Sequence, residues 1–386
     1  MIRDPELTEQ LLESVRRLVR ERLLPAEARV ADEDQIPPQL VQAMRDLGLP
    51  GLSIPEQYGG LGLTVEEEML VVLELGYAAP AFRSTFGTNI GIGSQGLIMA
   101  GSEEQKQRFL PRLASGEAIA SFCLTEPDTG SDAASVRTTA RRDADRYLLN
   151  GSKRWITNGS SADLYTVIAR VDPGPAGGDG ISAFLVERGT PGVSTGRPYR
   201  KMGQQGAHVC DVVFDDVSVP AANRIGPEGT GFRTAMQVLV RGRLHIAAIC
   251  TGLARRLIDE SVAFALDRRQ FGQRIADFQL IQAMLADSQA EYLAARSMML
   301  ETARRYDQQL ASAAEVACCK LFASEMVGRV ADRAVQIHGG TGYMRDCPVE
   351  RLYRDVRLFR IYEGTSQIQQ LIIARDLIRR AESGRA

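Results

Sequence analysis

The hydrophobic period of this 386-residue chain changes twice, from helical to strand-like and back, and that order limits the folds open to it. From about residue 6 to 120, apolar side chains recur at three and four residues, as in Leu11, Leu12, Val15, Leu18 and Val19, the spacing of one helix face. Thr64-Val65-Glu66-Glu67 and Ser102-Glu103-Glu104-Gln105 have capping-box form, a hydroxyl followed three residues later by Glu or Gln. From about 121 to 225 the period falls towards two. Leu164 to Val171, Ile181 to Val186 and Val212 to Val219 read as strands. Asn150-Gly151, between Tyr147-Leu148-Leu149 and Lys153-Arg154-Trp155, reads as a hairpin turn. From about 228 the helical period returns in runs of bundle length, 239–267, 275–308, 311–337 and 366–381. The expectation is an α+β chain, mostly α. It has an N-terminal helical domain over 1–120, a middle β domain (sandwich or barrel) over 121–227, and a C-terminal four-helix bundle over 228–386.

Charge excludes some functions. With 46 basic and 48 acidic residues the net charge is -2, which argues against a nucleic-acid binder working through a basic field. Lysine stands only at 106, 153, 201 and 320, so 42 of the 46 basic residues (46 − 4) are arginine, a skew that fits a GC-rich genome. The six cysteines (123, 210, 250, 318, 319, 347) include no CxxC, and with three histidines (208, 245, 338) they form no metal pattern. They read as reduced and mostly buried. Met1-Ile2-Arg3-Asp4-Pro5 leads straight into a helical period and no apolar run reaches membrane-spanning length, so a cytoplasmic, bacterial protein away from membranes is expected.

Several motifs are weaker than they look. Gly91-Ile92-Gly93-Ser94-Gln95-Gly96 satisfies GxGxxG but lacks a preceding strand and a βαβ context, so its glycines read as close packing or space in a cavity. Asn150-Gly151-Ser152 and Asn158-Gly159-Ser160 match the glycosylation sequon and read as turns. Cys318-Cys319 reads as helix packing. His338, in Gln336-Ile337-His338-Gly339-Gly340, ends a helix on glycines whose exposed backbone can meet a ligand.

The strongest single residue is Glu363, in Arg360-Ile361-Tyr362-Glu363-Gly364-Thr365-Ser366-Gln367. Thr365 and Ser366 are helix-capping hydroxyl residues, so Glu363 is expected on the turn leading into a helix. An acid presented on such a turn over a bundle can act as a general base.

Taken together, Phe122-Cys123-Leu124-Thr125-Glu126-Pro127-Asp128-Thr129-Gly130-Ser131-Asp132, Trp155-Ile156-Thr157-Asn158, Arg268-Arg269-Gln270-Phe271-Gly272 with Phe278-Gln279, Gln336 to Gly340, and the Glu363 turn resemble the acyl-CoA dehydrogenase flavoproteins. The resemblance covers nearly the whole chain and its α–β–α order. It implies a homotetramer, a dimer of dimers, with FAD between the β domain and the bundle. Phe122, Leu124, Thr125, Gly130 and Ser131 would form one wall of the flavin site, and Trp155, Ile156 and Thr157 would pack on the ring and hydrogen-bond its edge. Arg268, Phe271 and Gln279, with Gln336, Gly339 and Gly340, would reach the adenine and pyrophosphate of a neighbouring subunit's FAD. Thr365 and Gln367 would close the site. Ser131, Arg243, Tyr362 and Gly364 would meet the acyl thioester.

The reaction implied is α,β-dehydrogenation of an acyl-CoA to the trans-2-enoyl-CoA. Glu363 takes the α-proton, the flavin takes the β-hydride, and electron-transfer flavoprotein is the usual electron acceptor. Some members carry the base on a bundle helix at the position preceding Arg243; here that residue is Gly242. Many members also have an acidic residue near Val240 against the pantetheine arm, and this chain does not. Two alternatives keep the fold: a flavin oxidase or oxygenase, relatives of which often lack the glutamate, and a DNA-binding relative, which the negative net charge opposes.

Overall fold

A computed structural model of the chain describes residues 2–172 and 174–384. Seven helices come first: α1 (Pro5–Leu18), α2 (Leu24–Glu33), α3 (Pro38–Asp46), α4 (Val65–Leu75), α5 (Pro80–Ile90), α6 (Gln95–Ala100) and α7 (Glu103–Ala114). Both capping boxes form. Thr64 Oγ1 accepts from Glu67 N and Ser102 Oγ from Gln105 N, while the Glu67 and Gln105 side chains return the bond to the cap residue's N–H.

Eight strands follow in one mixed sheet: β1 (Ala120–Cys123), β2 (Thr139–Asp143), β3 (Arg146–Thr157), β4 (Leu164–Asp172), β5 (Ile181–Glu187), β6 (Val193–Thr195), β7 (Val209–Pro220) and β8 (Arg224–Ile225). Their order is β6-β7-β3-β2-β4-β5-β8, with β1 parallel to β4. The sheet curls on itself. Tyr147 of β3 and Phe184 of β5 are not on neighbouring strands, yet their rings lie 4.9 Å apart across a core that also holds Val167, Val212 and Phe214. Alternate residues of the same strands, such as Phe122, Leu164 and Leu185, face outward onto α6, α7 and the start of the next helix.

The Asn150-Gly151 hairpin does not exist. β3 runs straight through it, with an irregularity against β7 between Leu149 and Gly151. The real turn is Ala144-Asp145, between Asp143 and Arg146, with Ala144 at φ 52°. Gly151 is needed because any Cβ there would lie 2.5 Å from Thr138 Oγ1, and Asn150 bonds Asp216 on β7. Asn158-Gly159-Ser160 is a turn, as read.

The C-terminal part contains α8 (Gly231–Asp267), a small hairpin of β9 (Arg269–Gln270) and β10 (Gln273–Arg274), α9 (Gln279–Asp307), α10 (Ala313–His338), α11 (Pro348–Val356) and α12 (Ser366–Glu382). Its core is not its own. Leu244, Ile249 and Leu253 of α8 and Met326 and Val330 of α10 share one apolar cluster with Met69 and Val72 of α4 and Phe82 of α5. Each such side chain contributes about 1.5–3 kcal/mol when fully buried, so the N-terminal helices and the bundle are held as one body. The GxGxxG segment is the turn between α5 and α6, and Gly93 packs on Ala120 of β1. Among the described residues no helix is long and apolar enough to cross a membrane, and no group of histidine, cysteine or acidic side chains is placed to hold a metal.

Candidate active site

Three elements meet at Glu363. The short 3-10 turn after α11 ends at Arg360, and the chain then makes two left-handed steps, Glu363 at φ 52° and Gly364 at φ 88°. Thr365 stops the irregularity by accepting a hydrogen bond from Ile368 N as the N-cap of α12. A non-glycine residue in that conformation is strained. Two side chains clamp it. Lys320 of α10 donates to Gly364 O at 2.7 Å, and Gln369 of α12 donates to Gly364 O at 3.0 Å and to Glu363 O at 3.3 Å.

The carboxylate so presented lies over Gly242 of α8. A Cβ at Gly242 would overlap Glu363 Oε2 and sit 3.1 Å from its carboxyl carbon, with Ile92 Cγ2 of the α5–α6 turn 3.4 Å away. Among the described residues, buried Glu363 Oε2 has no hydrogen-bond partner and the Glu363 N–H donates to no acceptor. The neighbouring cation is Arg243, 5% exposed. Burial lowers its guanidinium from the ordinary arginine value, and the Glu363 carboxylate opposes that shift. Burial also pushes the Tyr362 phenol up. A carboxylate with an open oxygen, held beside a buried guanidinium, can accept a proton from a bound molecule.

A second group of predicted residues stands on β1, the loop after it and β3. Thr125 O accepts from Arg154 N at 2.8 Å and Ser121 Oγ donates to Thr157 O at 2.7 Å, so the predicted residues from 122 to 125 and 155 to 157 stand side by side. Trp155, the only tryptophan, sits at an irregularity of β3 with φ 57° and is 58% exposed. An exposed indole on a strained backbone offers a flat apolar face to a ligand ring. Ile156 turns inward into the β core, leaving only its main chain for contact, and Phe122 and Leu124 are also nearly buried. Gly130 and Ser131 are exposed on the loop after β1. Beneath this group, buried Lys153 Nζ bonds Glu126 Oε1 at 2.7 Å, Ile168 O at 2.7 Å and Leu124 O at 3.1 Å.

Arg268, Phe271, Gln279, Gln336, Gly339 and Gly340 lie elsewhere, at one end of the bundle where β9 and β10 meet the end of α10. Ala265, Ile275 and Ile337 pack these elements together, and His338 stacks on Phe264 at 4.3 Å. All six predicted residues are exposed, Phe271 to 94%. Gly339 and Gly340 have open space where a Cβ would stand. The predicted residues therefore fall in two separate groups. An exposed indole suits a planar redox ring, and an exposed arginine with open glycine backbone suits phosphates, so these residues fit FAD.

Sequence reasoning missed Lys320 and Gln369, both fully buried, and Arg83 of α5. Arg83 Nη2 is 3.3 Å from His245 Nδ1, and His245 Nε2 is 3.2 Å from buried Glu68, which also pairs with Arg241. Burial would raise Glu68, but Arg241 and His245 bring it below the ordinary carboxylate value. One signal pointed to Lys320: it is one of only four lysines and stands in an apolar helical run.

Three domain families match the chain: acyl-CoA dehydrogenase N-terminal domain over 5–117, middle domain over 121–217 and C-terminal domain over 229–378. An acyl-CoA dehydrogenase of Bacillus subtilis (strain 168) is 42% identical over 364 residues, 94% of this chain and 96% of that protein. The butyryl-CoA dehydrogenase of Megasphaera elsdenii superposes with a TM-score of 0.94 at 34% identity, covering 98% of this chain and 100% of that one. An acyl-CoA dehydrogenase from Bacillus anthracis complexed with FAD superposes with a TM-score of 0.92 at 35% identity, covering 99% of this chain and 68% of that one.

Proposed function

The chain belongs to the acyl-CoA dehydrogenase family and is an FAD-dependent enzyme that oxidises an acyl-CoA between its α and β carbons; from that premise we propose that Glu363 is the base that takes the α-proton. The observation carrying this reading is the open Glu363 Oε2, buried, unpartnered and held over Gly242 by a clamped turn. When bound, FAD supplies the acceptor for the β-hydride.

Each role follows from a named group. The Glu363 carboxylate accepts the proton as the α-C–H bond breaks and its electron pair stays on the substrate. The Glu363 N–H, with no acceptor of its own, donates to the thioester oxygen as charge develops there. Arg243 supplies positive charge beside the acyl thioester. Ser131, Tyr362 and Gly364 line the approach, and Trp155, Thr157 and Thr125 hold the ring. Arg268, Gln279 and Gln336 serve the FAD of a neighbouring subunit in a homotetramer; Phe271 at 94% exposure and Leu280 at 81% are the apolar surface such an assembly would cover. The electrons pass to electron-transfer flavoprotein, and the enzyme works in a bacterial cytoplasm, without nucleic acid or membrane.

Anaerobic titration of the holoenzyme with acyl-CoAs of differing length and branching tests this. Wild-type flavin should bleach and Glu363→Gln flavin should stay oxidised with FAD retained. A Gln variant that bleaches at the wild-type rate removes the base assignment.

A further inference from the structure

We propose that Lys320 is a positioning residue for the dehydrogenation: its ammonium, anchored on the Gly364 carbonyl, holds the Glu363–Gly364 turn in the left-handed form that aims the carboxylate. The proposal rests on the reading of Glu363 as the base.

Lys320 is 0% exposed in the first half of α10, on the face that packs against α8. Among the described residues, the only hydrogen bond of its side chain is to Gly364 O at 2.7 Å, and no carboxylate stands within ion-pair distance of it. A buried cation without a close counter-ion is costly, and an apolar residue would pack this helix face without that cost. What the charge secures is a carbonyl in a segment where two consecutive residues adopt positive φ, Glu363 and Gly364, as only Phe271 and Gly272 also do among the described residues. Gln369 holds the same carbonyl from α12, so the turn is gripped from two helices.

The surroundings make this grip sensitive to pH. Burial lowers the Lys320 ammonium to about 8, while Cys250 of α8, Glu363 of the turn and Glu325 of α10 pull it upward and Arg243 of α8 pushes it down. Glu325 is itself occupied by Arg360 and by Ser366 Oγ. The protonated lysine donates a charge-assisted bond, roughly twice as strong as a neutral one. The turn is therefore firmly held below pH 8 and loosened above it.

The test is stopped-flow reduction of the holoenzyme flavin by a series of acyl-CoAs from butyryl- to palmitoyl-CoA, at pH 6 to 10, with binding of crotonyl-CoA read from the flavin spectrum. Wild type should slow above pH 8. Lys320→Met should reduce flavin on the order of 10- to 100-fold more slowly, as expected when a base loses its alignment, with crotonyl-CoA affinity within about twofold and no fall above pH 8. Lys320→Arg, which cannot lose its charge, should also lack that fall. Wild-type speed in Lys320→Met overturns the proposal. So does an alkaline fall that survives in Lys320→Arg, a result available even if the methionine variant does not fold. Glu363→Gln in the same assay separates the two readings. If it reduces flavin normally, the base assignment fails; if it is silent while Lys320→Met is normal, only the role of Lys320 fails.

Discussion

Gly242 of α8 and Glu363 of the turn before α12 share one point of the site: a side chain on the glycine would stand where the carboxylate already is. Two positions far apart in sequence thus reach the same point in space.

This overlap is testable by exchange. Gly242→Ala should displace the carboxylate and slow flavin reduction on the order of 100-fold while FAD stays bound. Glu363→Gly should lose about 1,000-fold or more, the scale of a general base. The double variant Gly242→Glu with Glu363→Gly should recover part of that loss, because the new carboxylate starts from the same place. Stopped-flow bleaching by one acyl-CoA across the set is the measurement, and a double variant no faster than Glu363→Gly rules out a shared position.

Trp155 is exposed on a strained irregularity, with the Arg154 guanidinium 6.0 Å from its ring centre. Trp155→Ala should weaken FAD retention by roughly tenfold, about the value of one aromatic stack, with little change in the melting temperature of the apoprotein. Retained flavin after dialysis measures it. Arg268→Ala should weaken FAD retention or tetramer assembly without disturbing the fold of the single chain; gel filtration and flavin content read both.

Much of this was legible because strong local patterns agree with the fold. The capping boxes at Thr64 and Ser102, the long runs of α8 to α10 and the helix start at Thr365 needed no tertiary information. The Asn150-Gly151 hairpin failed because the glycine serves close packing against Thr138 across the sheet, while the true turn uses Ala144 and Asp145, which carry no glycine signal. The role of Lys320 was not legible, for a related reason. Its meaning depends on Gly364, 44 residues away on another element.

The buried Lys153–Glu126 pair supports the loop carrying Leu124 and Thr125. Burial would raise Glu126, but Lys153 and the donors Thr138 and Arg137 N hold it below the ordinary carboxylate value. Lys153→Met leaves that carboxylate buried without its cation and should cost about 3–5 kcal/mol. Lys153→Met with Glu126→Leu should recover much of the loss. Urea denaturation compares them, and a fully stable single variant would show the pair is dispensable.

Asp355 of α11 gives a prediction of opposite sign. It is 2% exposed and accepts from Gln204 N, which fastens the bundle to the connection between β6 and β7. Burial pushes its carboxyl up to about 6, against an ordinary value of 3.8. An acid whose folded-state pKa is raised holds its proton longer when native, so stability falls as pH rises from about 4 to 6 and stays lower above it. A two-unit shift corresponds to about 3 kcal/mol at most. Asp355→Asn keeps an oxygen to accept from Gln204 N and never ionises. Its melting temperature should match wild type near pH 4 and exceed it increasingly up to pH 7. A difference that does not change with pH would mean that Asp355 does not ionise in this window.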